Sequence, residues 1–417
     1  MAGNGKQYVI VGGSAAGMAA ACAIREQDSK GRLTIYSEEP DEPYFRPLIP
    51  FLVSGKKSPR DMAMQGNGPY KQGGIEVCLN SRIQSIDPGG GTIALENGGR
   101  IPFDKLLLAT GSSPYIPPEI QGTDTEGVFA VRTLSDARLV EKRAHRAKHA
   151  VMLGGGLLNL KMAFALLERD IAVTLVVYSP EVLSQLMEPG DAGLIRDALH
   201  GVGLKIKTGA SAKQILSNGD GVCGVVLEDG SEMACDIVCI GKGVRPNVDI
   251  MDAAALHIDK GVVVDRFTAT SIEHIHAAGD VAVTFDPISN ERIVTGLWTN
   301  AVEMGRCAGY NMAGRPTEYT GTFGILNATQ VADEPFVSMG VVHTAGTDFE
   351  THVIASHRAY RKVVFSPDGS RLVGILLVGD ISKAGLYRFV IRERMDIKEI
   401  KTHIIQQRLH YGHFIRT

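Results

Sequence analysis

The sequence predicts an α/β protein in which two strand–glycine loop–helix–strand units are followed by an α+β segment. Three observations carry that prediction. First, an apolar strand at Gln7–Val11 enters a glycine loop, an alanine-rich helix follows over residues 17–26, and residues 33–36 form the next strand. Second, the same order returns about 140 residues later, in a strand at 150–153, glycines at 154–156, a helix at Leu157–Leu167 and a strand at 173–177. Third, the apolar strands at 106–109, 236–240 and 275–278 run into Thr110-Gly111, Gly241 and Gly279-Asp280. Open α/β sheets bind ligands at such carboxyl ends.

The remaining elements are plainer. Stretches 66–74 and 88–99 are rich in turn residues and are expected as loops. Beyond residue 320, Tyr360–Phe365 and residues 371–378 form a hairpin closed by Pro367, Asp368 and Gly369, and a helix over 383–394 follows. The last thirty residues carry seven Lys or Arg against three acidic residues, together with His403, His410 and His413. They form either a solvated tail or a docking patch for an acidic partner.

Composition sharpens the question. The chain has 48 glycines in 417 residues, about 19 more than average usage supplies. No three-residue glycine period occurs and 44% of residues are hydrophobic, so the chain is globular and the surplus marks tight turns or close backbone approaches. A net charge of −3 excludes a general nucleic-acid binder. No uninterrupted apolar run is long enough to span a bilayer, and residues 8–24 lack the flanks of a signal peptide. The six cysteines, Cys22, Cys78, Cys223, Cys235, Cys239 and Cys307, are too sparse for a disulfide scaffold and suit a reducing, cytoplasmic compartment. Cys235 and Cys239 face one side of a strand and are expected in the core. No second Cys or His pair accompanies them, and no metal site is expected.

Gly12-Gly13-Ser14-Ala15-Ala16-Gly17 departs from G-x-G-x-x-G only at Ser14, whose small side chain still lets a pyrophosphate approach the backbone. Glu38, at the end of the next strand, is placed to accept hydrogen bonds from an adenosine ribose. Around this loop stand Pro43-Tyr44-Phe45-Arg46-Pro47, Ala109-Thr110-Gly111, Arg132-Thr133-Leu134, the segment from Gly241 to Asn247, and Ala277-Ala278-Gly279-Asp280. In that order they resemble the pyridine-nucleotide-dependent flavoproteins of the glutathione-reductase-like superfamily, in its rubredoxin reductase and ferredoxin reductase branch.

The resemblance covers residues 7–320 closely. It implies two Rossmann-like dinucleotide-binding domains, one for FAD and one for NAD, plus a C-terminal α+β domain. Their expected bounds are 1–115 with 240–320 for FAD, 116–239 for NAD(P)H and 321–417 for the C-terminal domain. It also implies that Gly12, Ser14, Ala15, Ala16, Thr110 and Gly111 line the flavin site. Arg46 would stand at the pyrophosphate, Asp280 at the ribitol, and Arg132 and Ile83 on the adenine side. Trp298, the single tryptophan, either contacts the isoalloxazine region or anchors a domain interface.

The second loop, Gly154-Gly155-Gly156-Leu157-Leu158-Asn159, keeps the first two glycines and has Asn in place of the third, which predicts looser helix packing with phosphate binding intact. The acid expected at the end of the next strand is missing, and no Arg or Lys stands in 177–183 to receive a 2′-phosphate. NADH is expected over NADPH, which stays possible, with Tyr178 packing on the adenosine and Gly154, Gly156, Leu157, Leu158 and Gly243 as the other nucleotide-binding residues. In the resembling family a Glu commonly stands where this chain has Lys161, paired in some relatives with a lysine at the position of Phe51. Lys161 either raises the potential of the bound flavin or faces solvent.

The redox C-x-x-C and C-x-x-x-x-C pairs of disulfide reductases are missing, residues 40–77 contain no Cys, and residues 398–417 hold no His-Glu acid pair. Thiol chemistry is therefore not expected, and iron–sulfur spacings are absent too. What the resemblance implies is hydride transfer from NADH to FAD, then release of electrons to a separate acceptor. That acceptor is rubredoxin, ferredoxin or a cluster-bearing subunit of a larger oxidoreductase, such as a tungsten aldehyde oxidoreductase complex. A redox-controlled interaction flavoprotein and an NADH oxidase are the alternatives. Homo- and hetero-oligomers both stay open.

Overall fold

A computed structural model describes residues 5–64, 73–251, 256–321 and 326–414, so most of the stretch 66–74 lies outside the described residues. The chain forms two compact units. The first takes residues from 1–115, 132–137 and 244–322; the second takes residues from 116–131, 138–243 and 323–417.

The first unit is built on a parallel five-stranded sheet in the order Ile275–Ala277, Lys105–Leu108, Gln7–Val11, Arg32–Tyr36 and Ile75–Cys78. Parallel strands covered on both faces read as near-continuous apolar runs, and four of these strands are buried along most of their length, the edge strand Ile75–Cys78 being the exception. The helix Ala15–Gln27 packs along Trp298–Met312 through small residues. A Cβ on Gly305 would lie 2.2 Å from the Ala16 carbonyl oxygen, and one on Gly309 would lie 2.3 Å from that of Ala20. The two backbones touch because these positions carry no side chain. Part of the stretch expected as a loop forms a small antiparallel sheet instead, Ile83–Asp87, Thr92–Leu95 and Arg100–Pro102. Ile93 anchors it in the core, and its short strands are broken so closely by Gly91 and Gly98 that turn residues dominate the sequence.

The second unit repeats the arrangement. Its parallel sheet runs Lys205–Thr208, Ala172–Val177, His149–Leu153, Ile237–Ile240, Val128–Phe129. In both sheets the first strand of the βαβ unit lies between its second strand and a strand from much later in the chain. Each glycine loop therefore opens at a point where strand order reverses. Cys239 lies in strand Ile237–Ile240 and Cys235 just before it, both buried, and burial pushes each thiol up to about 12.

Residues 327–378 add an antiparallel sheet ordered Asn327–Val331, Glu334–Gly340, Leu372–Val378, Tyr360–Phe365, Glu350–Ala355, which contains the expected hairpin. Lys362, 2% exposed, sits between Glu188 and Asp191, with its ammonium 3.0 Å from the Asp191 carboxylate. Tyr360 donates to Asp191, and Glu188 also accepts the Thr344 and Ala345 amides at 2.7 Å each. Burial works against the Glu188 carboxylate, yet the bonds from Lys362 and the two amides hold its pKa at about 2. The basic C-terminal stretch is not a solvated tail. Helix Ala384–Arg392 and helix Lys401–Ile405 pack against the sheet through Leu386, Tyr387, Val390, Ile391 and Ile404, with Ile397 and Leu409 buried beside them. Charged and apolar residues alternate at helical spacing there, which total charge alone does not reveal.

Two stability predictions follow from the first unit. Gly305→Ala forces its methyl into the Ala16 carbonyl and should cost about 2 kcal/mol in denaturant unfolding. His276 is buried on strand Ile275–Ala277; burial, and then the Lys105 charge, lower its pKa to about 4. The unfolded chain binds that proton first, so stability through this group falls as pH drops from about 6.5 toward about 4, by about 3 kcal/mol in all. His276→Asn should flatten that part of the unfolding free energy's pH profile; an unchanged slope would refute the assignment.

Candidate functional site

The first glycine loop is shaped by one contact. Gly12 has φ +113, and a Cβ there would lie 2.1 Å from the Ala109 carbonyl oxygen, while a Cβ on Gly17 would lie 2.0 Å from the Gly12 carbonyl oxygen. Only glycine allows the loop to turn this tightly onto the end of strand Lys105–Leu108 and bring the next helix down on top of it. The helix then starts at Ala15 with its first amides unpaired within the helix, an arrangement that attracts an anion. Ser14 precedes it in extended conformation. Its hydroxyl is not used as a helix cap; it accepts from Arg46 Nε at 3.0 Å. Arg46 also donates to the Arg132 carbonyl at 2.9 Å and pairs with Glu39.

A second cluster surrounds Asp280. This carboxylate is almost fully buried, and its Oδ2 accepts from Arg132 Nη2 at 2.6 Å and from Ser112 Oγ at 2.8 Å. Arg132, expected on the adenine side, is thus the partner of Asp280. Asp136 fixes the turn by accepting the Arg132 and Thr133 amides at 2.9 and 2.7 Å. Thr110 and Asn247 exchange hydrogen bonds at 2.8 Å each, and the Asn247 amide donates to the Gly111 carbonyl at 3.0 Å. Gly111 itself turns at φ +70. Trp298 opens helix Trp298–Met312 half-buried, its ring centroid 5.8 Å from that of Phe45.

The structure gathers Gly12, Ser14, Ala15, Ala16, Arg46 and Arg132 around the first loop. Glu38 is 60% exposed and lies 3.8 Å from Arg82, and Ile83 is buried at the start of the side sheet. Sequence reasoning missed Glu39, which takes Arg46 and the Tyr44 hydroxyl, and Ser112 and Asn247, which hold Asp280 and Thr110. Glu39 stood one residue from the predicted acid, but no spacing rule distinguishes the two.

The second loop copies the first. Gly154 has φ +115, and a Cβ there would lie 2.2 Å from the Gly241 carbonyl oxygen. Asn159, standing where Gly17 does, is buried, and its carboxamide donates to the Leu153 and Gly154 carbonyls at 3.0 and 2.9 Å. The expected looser packing is replaced by a hydrogen-bonded staple. Its amide group fills the space above Gly241, where a Cβ would come within 2.4 Å of Asn159 Cγ. Gly156, Leu158 and Gly243 are exposed around the loop, Leu157 is half-buried, and Tyr178 is 72% exposed. Lys161 is a half-buried residue whose ammonium donates to the Gln330 carbonyl near the surface, and burial lowers its pKa.

Two like glycine cradles on two like sheets agree with what similarity shows. The sequence profile described as pyridine nucleotide-disulphide oxidoreductase matches residues 6–305. The chain belongs to that family. Like its members it is an FAD-dependent NAD(P)H oxidoreductase. It is 28% identical to the NADH-dependent phenylglyoxylate dehydrogenase subunit epsilon of Aromatoleum evansii, over 97% of this chain and 96% of that one. It is 30% identical to a rubredoxin-NAD(+) reductase of Ectopseudomonas oleovorans, over 74% and 80% of the two chains. Its structure matches a ferredoxin reductase from Rhodopseudomonas palustris with a TM-score of 0.85 and 27% identity, over 94% and 95% of the chains.

All six cysteines are free, and burial pushes Cys235, Cys239 and Cys307 each up to about 12, away from the reactive thiolate. No described helix is long and apolar enough to cross a membrane. The Arg132–Asp280 pair gives a direct test of the site's construction. Arg132→Leu leaves a buried carboxylate without its cation and should destabilise the protein by about 3 kcal/mol. The double variant Arg132→Leu/Asp280→Asn should recover at least half of that loss in chemical denaturation.

Proposed function

We propose that the protein is the NADH-oxidising flavoprotein component of a larger electron-transfer system, delivering electrons singly to an iron–sulfur partner protein or subunit in the cytoplasm. The observation that carries this reading is the pair of like glycine cradles in a chain whose cysteines are free and lack redox spacing. The end-to-end similarity to a relative named as a subunit of an NADH-dependent dehydrogenase supports it.

The first cradle fits FAD. A Cβ would fill the close approach at Gly12, the amides at Ala15 and Ala16 are free of helix bonds, and Arg46 supplies positive charge beside Ser14. In this reading those residues hold the pyrophosphate, Glu38 meets the adenosine ribose, Ile83 borders the adenine and Asp280 takes the ribitol. Arg132 and Ser112 orient Asp280; Thr110, Gly111 and Trp298 border the ring system. When bound, FAD accepts a hydride equivalent from the nicotinamide and gives up the electrons one at a time.

The second cradle binds NADH through the amides around Gly154, Gly156, Leu157 and Leu158, with Tyr178 over the adenosine and Gly243 leaving the backbone open. Asn159 stiffens the loop, so less order is lost when the pyrophosphate binds. Lys161, held by Gln330, tunes the flavin, and Lys161→Met should lower its midpoint potential; an unchanged potential would remove that role. The reading takes residues 1–115 with 240–320 as the FAD domain, 116–239 as the NAD domain and 321–417 as a C-terminal interface domain.

Stopped-flow mixing with NADH should bleach the flavin at or above a typical turnover of about 10 per second, and the reduced protein should pass electrons to a cluster-bearing companion copurified from its native cells. Bleaching far slower than that, or rapid peroxide formation with no partner present, would overturn the proposal.

A further inference from the structure

We propose that the ion pair between Glu181 and Arg196 is the coenzyme selector of the second cradle, setting its preference between a ribose 2′-hydroxyl and a 2′-phosphate. The inference rests on the reading that this cradle binds a nicotinamide nucleotide. In such folds the segment after the second strand meets the adenosine ribose, and an acid there accepts from the 2′-hydroxyl whereas an arginine receives a 2′-phosphate. Here the strand Ala172–Val177 ends without either: Val177 is buried in the core and Tyr178 stands in solvent.

The chain then folds back onto the glycine loop. The Leu183 amide donates to the Gly155 carbonyl at 2.9 Å, and a Cβ on Gly155 would lie 3.1 Å from Val177 and 3.4 Å from Val182. Glu181 is the first acid on this returning segment. Its side chain is 6% exposed, its Oε1 accepts the Val182 amide at 3.1 Å, and its Oε2 pairs with Arg196 Nη2. Arg196 arrives from helix Gly193–Gly201 with its side chain 48% exposed. The hydroxyls of Ser179 and Ser184, 3.0 Å apart, lie on the same returning segment.

The chemistry follows from the charges. NADH leaves the pair intact, since a hydroxyl can donate to the carboxylate without displacing the guanidinium. NADPH brings a dianion that repels Glu181 and competes with it for Arg196, and drawing Arg196 away strands a buried carboxylate. Glu181 thus disfavours the phosphate twice, and Arg196 is the cation that would welcome it once released.

Opposite effects of two variants test this. The FAD-loaded protein is assayed for kcat/KM with NADH and with NADPH, and for inhibition by adenosine 2′,5′-bisphosphate against AMP. Glu181→Gln should raise the NADPH-to-NADH ratio of kcat/KM at least tenfold and tighten the bisphosphate relative to AMP. Arg196→Met should lower the same ratio at least threefold. General damage to the fold would lower both nucleotides together and leave the ratio where it was. A ratio unmoved within twofold in either variant, with the parent protein reduced normally by NADH, overturns the selector alone. A parent protein reduced by neither nucleotide overturns the reading of the cradle beneath it.

Discussion

A carbonyl oxygen resting on a glycine Cα organises this molecule. It occurs twice: Ala109 over Gly12 and Gly241 over Gly154. In each case a strand from much later in the chain delivers its last carbonyl to the first glycine of the loop, so the loop is closed by topology as much as by its own sequence. Removing a side chain at one position lets two strands and a helix meet within a few ångströms, and the amides at the start of the helix are left facing the crevice. The buried parallel sheets supply the rigidity that keeps those amides from relaxing into other bonds.

Around this contact the two units use different means to finish the job. In the first, Gly17 lets the helix approach the loop, and Gly305 and Gly309 let a second helix lie on the first. In the second, an asparagine does by hydrogen bonding what glycine does by absence. The second unit then adds a buried charged network: Lys362 between Glu188 and Asp191, with Tyr360 donating to Asp191. That network ties the turn at Pro189–Asp191 to strand Tyr360–Phe365, so this turn and the C-terminal sheet of the unit share one set of charges.

Much of this was legible in the sequence, because hydrophobic period and glycine position are local signals. Helix Leu157–Leu167 and strands Gln7–Val11 and Tyr360–Phe365 follow directly from apolar spacing. The cradles were legible from their glycines. What was not legible depends on partners distant in the chain. Glu39 and Glu38 are alike until the fold shows which one reaches Arg46; Arg132 finds Asp280 across 148 positions, and Lys161 finds Gln330 across 169. The C-terminal stretch misled because its charge drew attention away from Ile397, Ile404 and Leu409, which bury it.

The asparagine staple has a consequence for how such chains can diverge. Asn159 occupies the volume that any side chain at position 241 would need, and Gly241 in turn leaves the volume that Asn159 fills. The two positions are therefore coupled sterically. A larger residue at 241 would collide with the carboxamide at 159, and glycine at 159 would open a void and untie two carbonyls. Either single change breaks the fit, so the departure from the usual fingerprint is a packed and hydrogen-bonded arrangement in its own right.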